Sequence, residues 1–370
     1  MKLTLLQENL KNAVSITSHF TSPKAQLPIL GNILLKANKS KLTLSATNLE
    51  ISIVTSIGAK VEEEGEITVI GKTLNDLVLN LPNDSVYIES VQENVKITSG
   101  KFKSNVLGSN TADFPTLPTK LGKNTFSLNA QELKTSLSKT LFAVSTDETR
   151  PILTGVLFVF KNKKLYLVST DGFRLSEIKL KSEIKIPDFK IIIPRAILNE
   201  LTKIESDESI DISFDKETNQ IVFGVGDTLL SSRIIEGDFP DYEKIIPQSQ
   251  IATINVDKNE LEKSIKLASV FARDSGKIIK LKIKKEELII TAESSSAGNQ
   301  ETSLEIRSED NSTEFAEVNI MFNYSFIEDV LKVITDDEVQ IIIASDNKAS
   351  KFLDPKSPNF LHIIMPIKTN

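Results

Sequence analysis

The chain has 370 residues, 40% hydrophobic and 25% charged, with a formal net charge of −6. That length predicts two to four domains of roughly 100–150 residues each, and the composition excludes a disordered, low-complexity or fibrous chain. The absence of cysteine removes disulfides, thiolate metal sites and cysteine nucleophiles together and fits a reducing cytoplasm.

Met1 to Glu8 turns polar too soon for a signal peptide, and an amphipathic helix begins near Glu8-Asn9-Leu10. Alternating strands follow Pro28-Ile29-Leu30, and the apolar strand Ile67 to Ile70 leads into a second helix at Leu74-Asn75-Asp76-Leu77. Asp113-Phe114-Pro115 closes this first round. The order then restarts with a helix near Gln131-Glu132-Leu133, where Leu133, Leu137 and Leu141 keep helical spacing. Pro151-Ile152-Leu153, Ile191 to Ile193, a helix at Leu198-Asn199-Glu200-Leu201 and Asp238-Phe239-Pro240 complete the second round. A third runs through Asn259-Glu260-Leu261, Leu288-x-Ile290, Val318 to Ile320 and Ile327-Glu328-Asp329-Val330. No apolar run reaches the ~18 residues of a membrane span.

The rounds are copies. At an offset of 123 residues, Pro28-Ile29-Leu30 falls on Pro151-Ile152-Leu153, followed by Leu34 on Leu157, Lys41 on Lys164, Leu42 on Leu165, Leu44 on Leu167 and Thr47 on Thr170. A repeat of this length predicts three α+β domains, each packing two helices against a sheet, with boundaries at 1–120, 121–248 and 249–370.

Catalytic signatures are missing. The two histidines, His19 and His362, lie nearly a chain length apart, and no Gly-x-Ser-x-Gly or His-Glu-x-x-His motif occurs. Gly71-Lys72-Thr73 resembles the end of a phosphate-binding loop, but Glu66 occupies the position of the earlier glycine. The acidic runs Glu62-Glu63-Glu64 and Asp336-Asp337-Glu338 read as solvated turns. No enzyme, metal or cofactor is expected from these residues. Two alternatives stay open: a three-domain structural or adhesive repeat protein, and a hydrolase using converging carboxylates in an interdomain cleft.

The acidic balance opposes indiscriminate nucleic-acid binding. The helices nevertheless carry cations in every copy: Lys11 and Lys72, then Lys134, Lys139, Arg195 and Lys203, then Lys258, Lys263, Lys266 and Lys332. Taken singly, each belongs to an ordinary solvated helix face. Were all the helices to line one concave surface, these cations would gather there.

Leu27-Pro-Ile-Leu-Gly-Asn32, Ala112-Asp-Phe-Pro115, Arg150-Pro-Ile-Leu-Thr-Gly155, Ser169-Thr-Asp-Gly-Phe-Arg-Leu175, Gly237-Asp-Phe-Pro-Asp-Tyr242 and Met365-Pro366 occur in this order. With these segments the chain resembles the β subunit of bacterial DNA polymerase III, the sliding clamp family, over essentially its full length. The resemblance implies a head-to-tail homodimeric ring around double-stranded DNA, with helices lining the hole. It implies a processivity factor without catalysis, bound by the polymerase III α subunit, a clamp loader, other polymerases and repair proteins through short linear peptides.

The family's peptide pocket falls on Leu153, Thr170, Gly172, Phe173, Arg174, Leu175, Pro240, Lys244, Ile245, Ser350, Ile363, Ile364, Met365, Pro366 and Ile367. Phe173 stands where a histidine is common, Lys244 where an arginine is common, and the chain ends Lys368-Thr369-Asn370 instead of Arg-Leu. Lys24, Lys72, Arg150 and Arg195 are the expected DNA contacts, with Ala196 where the family often has a lysine. The dimer is expected to join Lys101, Lys103 and Val106 to Val270, Phe271, Glu301 and Glu305 of a second copy, with Lys101 and Lys103 on one strand face opposite the acids.

Overall fold

The computed structural model describes residues 1–123, 125–181, 187–205, 209–308, 317–345 and 347–368. Its helices stand where the spacing predicts them. The first third holds α1 (Gln7–Ser18) and α2 (Gly71–Leu79), the second α3 (Ala130–Leu141) and α4 (Arg195–Lys203), the last α5 (Lys258–Ala272) and α6 (Tyr324–Leu331). Helix α1 buries Leu10, Ala13, Val14 and Thr17, and packs on α2 and on strands Lys41–Thr47 and Ile51–Gly58. Helix α5 buries Leu261, Ile265 and Ala268 against α6 and strands Glu287–Ser294 and Gly298–Ser308. The carboxylate of Asp257 accepts from Glu260 N at 2.9 Å and the Asn323 amide from Ser325 N at 3.0 Å, satisfying amides that the starts of α5 and α6 leave open. Gly71 opens α2 because a Cβ there would lie 2.8 Å from Thr21 Cγ2 and 3.3 Å from Ile33 Cγ1. Close packing thus accounts for the glycine of Gly71-Lys72-Thr73 without any phosphate.

The repeat extends to hydrogen-bond register. Leu34 pairs with Ser45, Leu157 with Val168 and Lys280 with Thr291, so the 123-residue offset is kept across the same hairpin in all three copies. A two-residue slip would preserve the faces but break this correspondence. The turn after the hairpin is also duplicated. Thr47 Oγ1 donates to Ile51 O and accepts from Leu49 N, as Thr170 Oγ1 does with Arg174 O and Gly172 N. Both central residues have positive φ, 76° at Leu49 and 95° at Gly172.

Contacts divide the chain into two units, and the central third is shared between them. One unit holds Met1–Lys134 and Ala196–Ile234; the other holds the segment beginning at Thr135, Pro187–Arg195 and the chain from Ile235 onward. The cause is strand pairing. In the first unit, Thr228–Arg233 pairs with Ile51–Gly58, extending the N-terminal sheet to thirteen strands among the described residues. That seam carries buried hydroxyl pairs, Ser52 with Ser231 at 2.5 Å and Thr55 with Thr228 at 2.8 Å. In the second unit, Arg174–Lys181 pairs with Phe360–Ile364 within a sheet of twelve strands among the described residues, and Ser176 meets His362 Nδ1 at 2.7 Å. The second unit also buries an ion pair, Lys139 Nζ to Asp354 Oδ2 at 3.1 Å. Among the described residues, no helix is long and apolar enough to cross a membrane.

Candidate partner-binding pocket

On the second unit's sheet lies a cavity of about 220 Å³ lined by Leu153, Thr170, Gly172, Arg174, Leu175, Pro240, Asp241, Tyr242, Ile245, Ile363 and Met365. Four pieces of chain build it. Leu153 ends the short helix Pro151–Leu153, and Thr170 to Leu175 form the duplicated turn. Pro240 to Ile245 run into the short helix Tyr242–Ile245, and Ile363 and Met365 come from the last strand, Phe360–Ile364, and the residue beyond it. Asp171 Oδ1 accepts from Phe173 N and Arg174 N, at 2.9 and 3.0 Å, which locks the turn. Glycine suits position 172: its φ is +95°, and a Cβ would sit 3.1 Å from Arg150 Nη1. Beneath the pocket, Leu153, Leu175, Tyr242 and Ile363 join Leu157, Val168 and Phe239 in one apolar cluster. Burial, with Glu177 and Glu243 nearby, pushes the Tyr242 hydroxyl well above the ordinary tyrosine range, so it stays a neutral amphipathic wall.

Arg174 separates this pocket from a second cavity of about 520 Å³, lined by residues that include Phe142, Asp147, Arg150, Phe173, Arg174, Arg195, Phe326 and Asp329. Its Nε donates to Asp171 Oδ2, Nη1 to Asp329 Oδ2 and Nη2 to Phe142 O, and its guanidinium lies over the rings of Phe142 and Phe326. Although burial opposes it, bonds from Lys332 and Arg174 hold the Asp329 carboxyl below its usual range. His362, behind the pocket, is pushed well below the ordinary imidazole range by burial and by Arg174, and is neutral.

Nine of the residues expected at the pocket therefore line one cavity: Leu153, Thr170, Gly172, Arg174, Leu175, Pro240, Ile245, Ile363 and Met365. Six do not. Phe173 is 60% exposed and faces the second cavity, and its carbonyl accepts from Met365 N at 2.8 Å. Lys244 points into solvent and pairs with Asp241 at 2.8 Å. Ser350 and Ile364 sit opposite each other in the sheet, both fully buried; both were expected in the pocket, but their strands turn them to the other face. Pro366 and Ile367 are half-buried, and Ile367 N donates to Met321 O. Thr369 and Asn370, part of the unusual chain end, lie outside the described residues. Asp241 and Tyr242 were missed, although they stand between two expected residues, Pro240 and Ile245.

Among the expected DNA contacts, Lys24, Lys72 and Arg150 are exposed and Arg195 is half-buried. Arg150 Nε donates to Asp147 Oδ2 at 2.9 Å; Arg195 Nε finds no hydrogen-bond partner among the described residues. Of the helix cations, Lys139 departs from expectation, being buried against Asp354. Lys134 and Lys258 donate to the carbonyls of Ile204 and Ile334, and Lys203, Lys266 and Lys332 pair with Glu200, Glu262 and Asp329. Among the described residues no group of three or more His, Asp or Glu side chains converges as metal ligands.

Family models for the DNA polymerase III beta subunit match in sequence: the N-terminal domain over residues 1–118, the central domain over 127–241 and the C-terminal domain over 243–368. The beta sliding clamp of Staphylococcus epidermidis is 31% identical and that of Rickettsia bellii 29%, each alignment spanning all of both chains. The solved DNA polymerase sliding clamps of Pseudomonas aeruginosa, with ligand, and of Bacillus subtilis match with TM-scores of 0.93 and 0.91 at 25% and 28% identity, also over 100% of both chains. The chain belongs to the sliding clamp family. The adhesive-repeat and hydrolase readings are thereby set aside.

This clamp has two strands that are only partly paired along one side among the described residues. Strand Phe102–Ser109 pairs along one side with Asn94–Ser99, but among the described residues only Gly108 and Ser109 pair on the other side, with Val69 and Thr68. Lys103 lies on that strand, Val106 is buried beneath it, and Leu107 is 74% exposed. Lys101 occupies the hairpin turn with Gly100 instead of the strand, so strand alternation does not align it with Lys103. Strand Gly298–Ser308 likewise pairs with Glu287–Ser294 along one side, and on the other, among the described residues, only from Ile306 to Ser308. Glu301 and Glu305 are exposed on it, Val270 of α5 is 59% exposed, and Phe271 is half-buried. Leu107 and Leu267, a further exposed apolar residue of α5, were not anticipated; an apolar residue in an otherwise polar strand or helix face was the available signal.

Proposed function

We propose that two copies of this clamp close head to tail into a ring around duplex DNA, and that the Leu153 to Met365 pocket captures a short extended peptide of a polymerase. The pocket carries the reading: it is small, mostly apolar, and rimmed by a turn that hydrogen bonds hold in place. Its occupants would be peptides of the polymerase III α subunit, the clamp loader, other polymerases and repair proteins. The cations at Lys24, Lys72, Arg150 and Arg195 would contact phosphates without reading bases, which favours sliding. Linkage to the template would raise the effective concentration of primer end seen by a tethered polymerase. This processivity role requires no bond to be made by the chain itself, and opening the ring is work for an ATP-driven loader. We take the domains as 1–120, 121–248 and 249–370 and place the work in the cytoplasm, with the DNA.

For the ring, open edges at Phe102–Ser109 and Gly298–Ser308 support a joint between Lys103, Val106 and neighbouring Lys101 of one copy and Val270, Phe271, Glu301 and Glu305 of the other. The opposite charges suit such pairing. The test of the pocket is titration of a fluorescent polymerase-tail peptide against wild type, Leu153→Ala and Met365→Ala. Truncating an anchor contact typically costs ~1–3 kcal/mol, so affinity should fall about fivefold to a hundredfold while the dimer persists. Equal binding by all three proteins would refute the assignment.

A further inference from the structure

A cation on the sheet face that carries the apolar pocket has no counter-charge among the described residues. Lys351 lies on strand Ser350–Leu353, opposite Ile363 on one side and Ile342 on the other. Residues directly opposite in a sheet share a face, with Cβ atoms about 5 Å apart. Lys351 therefore leaves the sheet on the side of Ile363, and Ile363 lines the pocket. Ala349, two residues earlier and on the same face, belongs to the cluster beneath the pocket, whereas Ser350 and Phe352 are fully buried on the opposite face.

Lys351 is half-buried and has no hydrogen bond or ion pair among the described residues. Several charges nearer the pocket lining are matched. Asp241 pairs with Lys244 at 2.8 Å and Glu177 with Lys179 at 3.1 Å, while Arg174 is held by Asp171 at 3.0 Å and Asp329 at 2.8 Å. Burial lowers the Lys351 pKa below the ordinary lysine range, as expected of an ammonium that has lost water without gaining an anion. Its flexible four-carbon stem can lie on the apolar sheet while the charged end swings over Ile363 to the cavity mouth. A carboxylate brought there would gain more than it would from a fully hydrated lysine, because the local dielectric is lower.

We propose that Lys351 selects, among short peptides that dock in this pocket, those carrying a carboxylate beside their apolar anchors. This rests on the reading of the pocket as a peptide site. The carboxylate can come from an acidic side chain or from a free C-terminus, and the test separates the two.

The probes are N-acetylated Ala-Leu-Ala-Leu-Phe as its C-terminal amide, the same amide with Asp at the centre, and the neutral sequence with a free C-terminal carboxylate. Each is titrated by calorimetry against the full-length wild type, Lys351→Met, Lys351→Gln and Lys351→Arg at low and high salt. Wild type should bind at least one charged form about threefold to tenfold more tightly than the neutral amide, and salt should shrink that ratio. The preference should vanish in Lys351→Met and Lys351→Gln, persist in Lys351→Arg, and leave the neutral amide bound equally by all four proteins. The charged form that gains identifies the source. Equal binding of charged and neutral peptides by wild type, or an unchanged preference in the Met and Gln variants, overturns the role of Lys351 and leaves the pocket standing. Failure of all three peptides to bind wild type overturns the pocket reading, and the role of Lys351 with it.

Discussion

Asp354 gathers five hydrogen bonds in a dry site: from Lys139 Nζ, from Thr335 N and Oγ1, and from the backbone N–H groups of Asp336 and Lys356. Burial raises its pKa, but the bonds from Thr335 and Lys139 outweigh that and hold the carboxyl below its usual range. Removing one partner of such a buried pair leaves the other charge uncompensated, so Asp354→Ala should cost ~3–5 kcal/mol in urea unfolding. The sign of the pH dependence follows from the depressed pKa. The contribution is complete above the unfolded value, near pH 4, and is lost as pH falls through the folded value. Wild type should therefore lose stability below about pH 4 more steeply than Asp354→Asn; parallel curves would show that the carboxyl is not a source of acid lability.

At the scale of elements, an open strand edge with exposed apolar side chains invites pairing with another chain. Leu107, at 74% exposure on Phe102–Ser109, and Phe271 near the end of α5 are the side chains to test. Leu107→Asp would bring a carboxylate to the Glu301 and Glu305 edge, and Phe271→Ala would remove apolar area. Both variants should sediment as monomers at nanomolar concentration, where wild type stays dimeric. A dimer unchanged in both would place the joint elsewhere. Gly172 in the pocket turn admits a separate test. A side chain at φ +95° is strained and crowds Arg150, so Gly172→Ala should weaken peptide binding with little effect on assembly, as read by titration and sedimentation together.

For the whole molecule, a net charge of −6 leaves the proposed DNA contact to a few cations, and these can be tested. Lys24→Ala with Arg195→Ala should lower retention on circular DNA and flatten the log–log salt slope by roughly two if each side chain neutralises one phosphate. Peptide affinity should be unchanged. An unaltered slope would remove both residues from the DNA surface.

Much of this was written in local pattern. Apolar spacing and the Pro-Ile-Leu repeat determined six helices, three copies and a 123-residue register, because periodicity of 3.6 or 2 is a property of neighbouring residues. The family segments determined the sliding clamp assignment and brought nine pocket residues together from distant stretches. What only the tertiary structure decided were matters of parity and partnership. Ser350 and Lys351 differ by one residue, and strand pairing alone sent the first into the core and the second toward the pocket. Lys139 looked like one more solvated cation until the fold brought Asp354 to it across 215 residues. Lys101 fell into a turn because Ser99 pairs with Phe102. Each outcome depends on which distant strand lies alongside and on how much water is left there, and neither quantity exists before the chain has closed on itself.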